Sequence, residues 1–304
     1  MIEYTRDNIT DAVIDQMSGT TDARLKTIME SAVRHLHAFA RDVNLTPAEW
    51  ITAIQFMTRV GHNCSSSRQE FILLSDTLGL STLVNTLHDT TALEDATHTS
   101  LLGPFYRENT PKLARGAQIG SDTSSGEIVL FGRVTNVDGA PVGNAIVTVW
   151  QTAATGSYDM QTTPEKNDYR GQFLTAADGT YVLKSVRPRG YYIPMDGPVG
   201  DMIKAQRRHG MRPAHIHFLI SAPDYRELVT ALYIAGDAHL DDDVVFGASG
   251  DLIAHVRDND PECPIKGLPS VRFDFTVSRE TEADRTGGRV GADPAAMLAG
   301  AAGQ

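Results

Sequence analysis

The sequence predicts a mainly β protein with α: an N-terminal helical domain, then a C-terminal β-sandwich carrying long loops. Three observations predict it. Apolar residues recur with a helical period through the first hundred positions, β-rich runs separated by glycine turns take over from about Glu127, and a two-residue alternation is explicit near Val271.

In the helical part, Leu25, Ile28, Met29, Ala32, Leu36, Phe39 and Val43 fall on one face of a 3.6-residue repeat, which predicts a long amphipathic helix. Thr46, Pro47 and Glu49 then supply N-cap, first-turn proline and capping-box partner for a second helix through Trp50, Ile51, Ile54 and Met57. A third is expected after Ser67-x-x-Glu70, with Phe71, Leu74 and Leu78 on one side and Gly79 as its stop. Residues 1–100 read as one helical domain, 101–126 as an ordered connector anchored by Pro104, Phe105 and Tyr106, and 127–279 as the sandwich. The Ala/Gly/Asp-rich stretch 280–304 has no period and reads as a disordered tail.

The clearest strands are Ile128–Val134, Ala145–Gln151, Tyr181–Val186, His215–Ser221, Val229–Ala235 and Val271–Val277. Asp138-Gly139 and Asp178-Gly179 mark tight turns. In the last strand Val271, Phe273, Phe275 and Val277 share one face.

Composition narrows the function. With 27 basic against 38 acidic residues, the formal net charge of −11 argues against nucleic acid or an anionic membrane surface as partner. No apolar run approaches the roughly 20 residues of a membrane span, and MIEYTRDNIT lacks the regions of a signal peptide, so a soluble, cytoplasmic protein is expected. Cys64 and Cys263 form no CxxC pair, which excludes a disulfide framework and a cysteine-built zinc site.

The sharpest local signal is Arg212-Pro213-Ala214-His215-Ile216-His217-Phe218. Two histidines two apart on a strand project from one face, while Ile216, Phe218 and Ile220 enter the core. Imidazole suits zinc, copper, iron and nickel alike, so further ligands decide. Carboxylates at Asp196, Asp201 or Asp237 are candidates, as are the nearby Tyr158, Tyr169, Tyr181, Tyr191 and Tyr192. A phenol binds metal only when deprotonated, which a hard Fe(III) enforces. Core packing is the ordinary role for any one of these tyrosines.

These residues, and the longer stretches around them, resemble the intradiol ring-cleaving catechol dioxygenases from the N-terminal helices to about Val277. The stretches are LLGPFYREN from Leu101, GSYDMQ from Gly156, the run Asn167–Gly200, RRHGMRPAHIHFLIS from Arg207, and GDAHLDDDVVFG from Gly236. The resemblance implies that the sandwich is the catalytic domain and the helices a linker and dimerisation domain. It also implies one non-haem Fe(III) per chain, bound by Tyr158, Tyr191, His215 and His217. Tyr191 is preferred to Tyr192 because the family places this ligand directly after a glycine, here Gly190, and twenty-four positions before the first histidine. Arg212 resembles the family's active-site arginine, whereas His209 and His239 read as structural.

The implied reaction inserts both atoms of O2 between the two hydroxylated carbons of a catechol-type ring, with Tyr191 leaving the metal to take a proton. LLSDTLG, the DGPVG run and HLDDDVVFG are most similar to the branch that takes hydroxyquinol (benzene-1,2,4-triol) and yields maleylacetate. Leu73, Asp76, Gly103, Pro104 and Val245, with Arg212, match positions that wall the pocket in relatives. Asp76 is the candidate partner for the third hydroxyl, an exposed or capping aspartate being the plain alternative. Ala231, fourteen residues after His217, stands where relatives often carry glutamine or histidine, so this chain lacks a hydrogen-bonding group there. A homodimer joined through the N-terminal helices is implied, with a phospholipid at that interface in some members. Rival readings are a catechol or chlorocatechol 1,2-dioxygenase with the same iron site, a non-catalytic transthyretin-like binding module, and a zinc or copper hydrolase using the two histidines.

Overall fold

The computed structural model describes residues 3–65, 68–88, 95–163 and 166–280. Ser67, expected to cap the third helix, and nearly all of the expected tail (281–304) lie outside the described residues. The chain divides into two compact units, Met1–Arg59 and Val60–Gln304.

In the first unit, α1 (Ile9–Asp15) packs on α2 (Ala23–Asp42), with Thr10 and His37 in hydrogen-bond contact at 3.0 Å. The Asp22 carboxylate accepts from the backbone N–H groups of Arg24 and Leu25, which starts α2. At α3 (Pro47–His62) the expected capping box is present: Glu49 accepts from the Thr46 N–H at 2.9 Å and Thr46 accepts from the Glu49 N–H. The apolar stripe of α2 is uncovered, since no α2 residue is buried and Leu36, Phe39 and Val43 are exposed. No described helix is long and apolar enough to cross a membrane.

The second unit opens with α4 (Glu70–Thr77) and α5 (Leu80–His88), separated by Leu78 and by Gly79 at φ +74°. Two five-stranded sheets follow. In the first, β1 (Glu127–Asn136) pairs antiparallel with β4 (Thr180–Val186) and parallel with both β11 (Ser270–Arg272) and β12 (Phe275–Val277), while β10 (Val256–Arg257) extends β11. The second runs β3 (Arg170–Leu174), β2 (Ile146–Trp150), β7 (His215–Ser221), β8 (Leu228–Ile234) and β9 (Ile253–Ala254). Ile128, Leu130, Leu183, Val271 and Phe275 of the first sheet close on Val147, Phe173, Ile216, Phe218 and Leu232 of the second, forming the core. A two-stranded ribbon, β5 (Tyr191–Tyr192) with β6 (Met211–Arg212), and the helices α6 (Asp159–Thr162) and α7 (Pro198–Ala205) sit in the long connections.

One expected strand is split. Val271–Val277 breaks into β11 and β12 because Phe273 and Asp274 bulge towards β1, where the Asp274 carboxylate accepts the Arg133 N–H at 2.9 Å. The alternation survives the break: Val271, Phe275 and Val277 are buried in the core, and Phe273 packs against it half-buried. The bulge needs a bare backbone opposite it, since a Cβ on Gly132 would lie 1.8 Å from the Phe273 carbonyl oxygen. Gly132→Ala is therefore expected to cost about 2–3 kcal/mol by overpacking, measured by urea unfolding. A loss below about 0.5 kcal/mol, the size of an ordinary surface change, would show that the bulge adapts freely.

Candidate functional site

On β7, Ile216, Phe218 and Ile220 fill the core, so His215 and His217 share the opposite face, each 2% exposed. The His215 Nδ1–H donates to the Pro213 carbonyl at 2.7 Å, which leaves a lone pair on Nε2. That atom faces His217 Nε2 at 3.2 Å. His217 lies flat against Trp150, its partner across the β2–β7 ladder, with ring centroids 4.9 Å apart and planes at 3°. Its Nδ1 has no hydrogen-bond partner among the described residues; the neighbouring Leu101 carbonyl only favours a proton on that ring. Burial, then the Arg212 charge, hold His215 well below the usual histidine range, and burial with His215 and Arg212 does the same for His217. Both rings are neutral at physiological pH.

Tyr158 enters from the start of α6, completely buried, with its ring stacked on Phe105 at 4.3 Å and its Oη 3.4 Å from His215 Nε2. Burial, with Tyr191 next to it, pushes this phenol well above the usual range. The residue after it anchors the segment. Asp159 pairs with buried Arg170 of β3, whose Nη1 also donates to the Phe105 carbonyl at 3.1 Å. Tyr191 comes from the β5–β6 ribbon, 8% exposed, with ring centroids 5.7 Å from Tyr158 and 5.5 Å from His215. Its neighbour Tyr192 is 65% exposed and outside the cluster. Strand alternation thus brings one of the adjacent tyrosines in and turns the other out.

Arg212 lies opposite Tyr191 in the ribbon and is buried. Its Nε and Nη2 donate to the two oxygens of Asp243 at 3.1 and 3.2 Å, Nη2 also donates to Tyr233 Oη at 3.2 Å, and Nη1 donates to His215 Nε2 at 3.1 Å. Burial alone would lower this guanidinium, but Asp243 beside it keeps it charged. Ala231 is buried and brings no polar group.

A cavity of about 500 Å³ adjoins the cluster, lined by Asp76, Gly103 and Pro104 among others. None of the four tyrosine and histidine side chains lines it, but Gly103 bounds the cluster as well, since a Cβ there would lie 3.6 Å from the His217 ring. Leu73, Val245 and Arg212 are buried but are not among the lining residues. Asp76 is 5% exposed on α4, its pKa raised by burial against the opposing hydrogen bond from Ser81.

The other candidates stay outside. Asp196 binds Arg68 at the surface, Asp201 faces Lys204, and Asp237 accepts from the Ala214 and His239 N–H groups. Tyr169 donates to the Asp122 carbonyl, and Tyr181 donates to that of Phe273. His209 and His239 flank the Asp242 carboxylate, and the Met211 N–H bonded to His209 Nδ1 keeps the ring proton of His209 on the side facing Asp242. Sequence reasoning missed Asp243 and Tyr233. Asp243 is hidden in a run of three aspartates of which it alone is buried, and Tyr233 was readable only through its register opposite His215 in the β7–β8 ladder.

Comparison with known proteins agrees with this architecture. The family model described as dioxygenase matches residues 101–278, and that described as catechol dioxygenase N terminus matches 22–95. A 6-chlorohydroxyquinol 1,2-dioxygenase of Cupriavidus pinatubonensis is 43% identical over 91% of this chain and 99% of its own length. A hydroxyquinol 1,2-dioxygenase of Nocardioides simplex is 38% identical over 89% of this chain and 94% of its own. Among solved structures, the hydroxyquinol 1,2-dioxygenase of Pseudomonas putida superposes with a TM-score of 0.83 at 39% identity, covering 90% of this chain and 99% of that one. With both parts of the chain matched and the buried cluster seated on the matched sandwich, the chain belongs to the intradiol ring-cleavage dioxygenase family.

Proposed function

We propose that this chain is a cytoplasmic enzyme that cleaves hydroxyquinol between its two adjacent hydroxylated carbons, both atoms of O2 entering the product maleylacetate. One observation carries the reading: two buried tyrosines and two neutral, buried histidines turn towards one another beside a buried, charged arginine. The substrate names of the most similar relatives support the triol.

The donor set fits iron. A lone pair stands on His215 Nε2, and His217 turns its own Nε2 towards the same point. The Tyr158 phenol, raised by burial, ionises only beside a strong positive charge, which suits a hard trivalent ion better than zinc. Tyr158, Tyr191, His215 and His217 would hold one non-haem Fe(III) per chain. When bound, that ion would supply the Lewis acidity that draws the diol in as its dianion and makes its ring electron-rich towards O2.

The side chains divide the remaining work. Tyr158 is fixed by the Phe105 stack and the adjoining Asp159–Arg170 pair, so it holds position. Tyr191, on a two-residue strand and slightly exposed, would take at Oη, as the phenolate such an ion would hold, one of the two protons the diol gives up, the other passing to a hydroxide ion. Trp150 keeps the His217 ring in plane. Arg212 stabilises the negative charge that builds on the ring during attack on O2. Asp76, on the cavity wall with Gly103 and Pro104, offers a carboxylate to the third hydroxyl, and the buried Leu73 and Val245 would adjoin the bound ring as the matching positions do in relatives. The uncovered stripe of α2 supports a homodimer joined through the N-terminal helices, and a phospholipid would lie along the same apolar face.

Two substitutions test these roles. Asp76→Ala is expected to lower kcat/KM for hydroxyquinol roughly tenfold, the scale of one hydrogen bond to a charged group, with a smaller loss on catechol. Oxygen uptake with each diol measures it, and equal losses would remove Asp76 from substrate selection. Tyr191→Phe is expected to shift or weaken the visible ferric–phenolate absorption and to abolish turnover. Unchanged colour and rate would move the ligand to another tyrosine.

A further inference from the structure

The guanidinium of Arg212 has five N–H donors in a rigid plane, and what holds that plane decides which donors face the reacting ring. Asp243 takes the edge formed by Nε and Nη2. Nη2 carries a second bond, to Tyr233 Oη. Nη1 is turned the other way, onto His215 Nε2. With the His215 lone pair taken by a metal, Nη1 would be released from this bond and its N–H groups left to a bound ring.

The bond to Tyr233 belongs to a closed circuit. Arg212 Nη2 donates to Tyr233 Oη, Tyr233 Oη–H donates to Ser100 Oγ at 3.1 Å, and Ser100 Oγ–H donates to the Gly247 carbonyl at 3.2 Å. The Gly247 N–H then donates to Asp243 Oδ2 at 3.1 Å, the oxygen that also accepts from Arg212 Nη2. Because the Gly247 carbonyl can only accept and Arg212 can only donate, the Ser100 and Tyr233 hydroxyls between them each have one possible orientation. Tyr233 is fully buried, and its hydroxyl has its partners within this circuit. On the same strand, with one residue between them, Ala231 brings no hydrogen-bonding atom.

We infer that Tyr233 is a positioning residue: with Asp243 it fixes the Nε–Nη2 edge of Arg212, so that Nη1 is the corner directed at the tyrosine–histidine cluster. The inference rests on the role proposed above for Arg212. Tyr233 itself touches no substrate in this account and acts through the guanidinium.

The test is a double-mutant cycle on the iron-loaded enzyme with hydroxyquinol, using Tyr233→Phe, Arg212→Lys and the pair. Tyr233→Phe keeps the ring and its volume and deletes only the hydroxyl. It is expected to lower kcat roughly tenfold, as for loss of a hydrogen bond to a charged group, because the charge that Nη1 meets develops after binding. KM, the dissociation constant for hydroxyquinol titrated without oxygen, and the resting visible band should be unchanged, and the melting temperature should move by no more than a few degrees. In the Arg212→Lys background the same substitution should change kcat by less than about twofold, since its route of action is gone. An unchanged kcat in the single variant, or equal losses in both backgrounds, overturns the positioning role. An Arg212→Lys enzyme with full kcat would instead remove Arg212 from the reaction and the inference with it. Should Tyr233→Phe fail to load iron, Ser100→Ala, which releases Tyr233 without touching Arg212, is expected to show the same dependence on Arg212, and its absence is contrary evidence.

Discussion

Everything at the site depends on two buried imidazoles kept neutral, with nitrogen facing nitrogen at 3.2 Å. Their isolation follows from one strand in the middle of a sandwich. β7 has β2 on one side and β8 on the other, and alternation sends its aliphatic residues into the core and its histidines out. Trp150 then covers one histidine, while Tyr158, Phe105 and the β5–β6 ribbon close the space around them. Burial, with Arg212 nearby, keeps both imidazoles from taking up a proton.

A buried positive charge has to be compensated. Asp243 meets Arg212 through two hydrogen bonds, which is the geometry that makes a buried arginine tolerable. The same economy recurs at Asp159 and Arg170, where a buried pair anchors the segment that delivers Tyr158. Both pairs join a long connection to a strand or ribbon, so the positions of Tyr158 and Arg212 are set by charge compensation as well as by packing.

Much of this was legible in the residues. The His-x-His spacing, the capping box at Thr46 and Glu49, and the stop at Gly79 are local patterns that tertiary contacts left intact. The adjacency of Tyr191 and Tyr192 was open on their own pattern, and pairing in the ribbon separates them. The break at Phe273 and Asp274 was not legible, because it comes from a carboxylate capturing a backbone N–H on a strand more than a hundred residues away. β3 was missed since Arg170, Gly171 and Gln172 carry no apolar alternation; Gly171 is needed where Leu113 and Ile119 press on the backbone. Asp243 could not be told from its two neighbours by type, only by burial.

The central claim is that the four buried donors constitute a ferric site open to a catechol-type ring. The direct measurement is iron analysis with a visible spectrum of the purified protein, followed by addition of hydroxyquinol in the absence of oxygen. A coloured protein with about one iron per chain, whose band moves to longer wavelength with the diol, is the result this account predicts, two phenolates being the charge-transfer donors. A colourless protein that takes up neither ferric nor ferrous iron and is unchanged by the diol would contradict it.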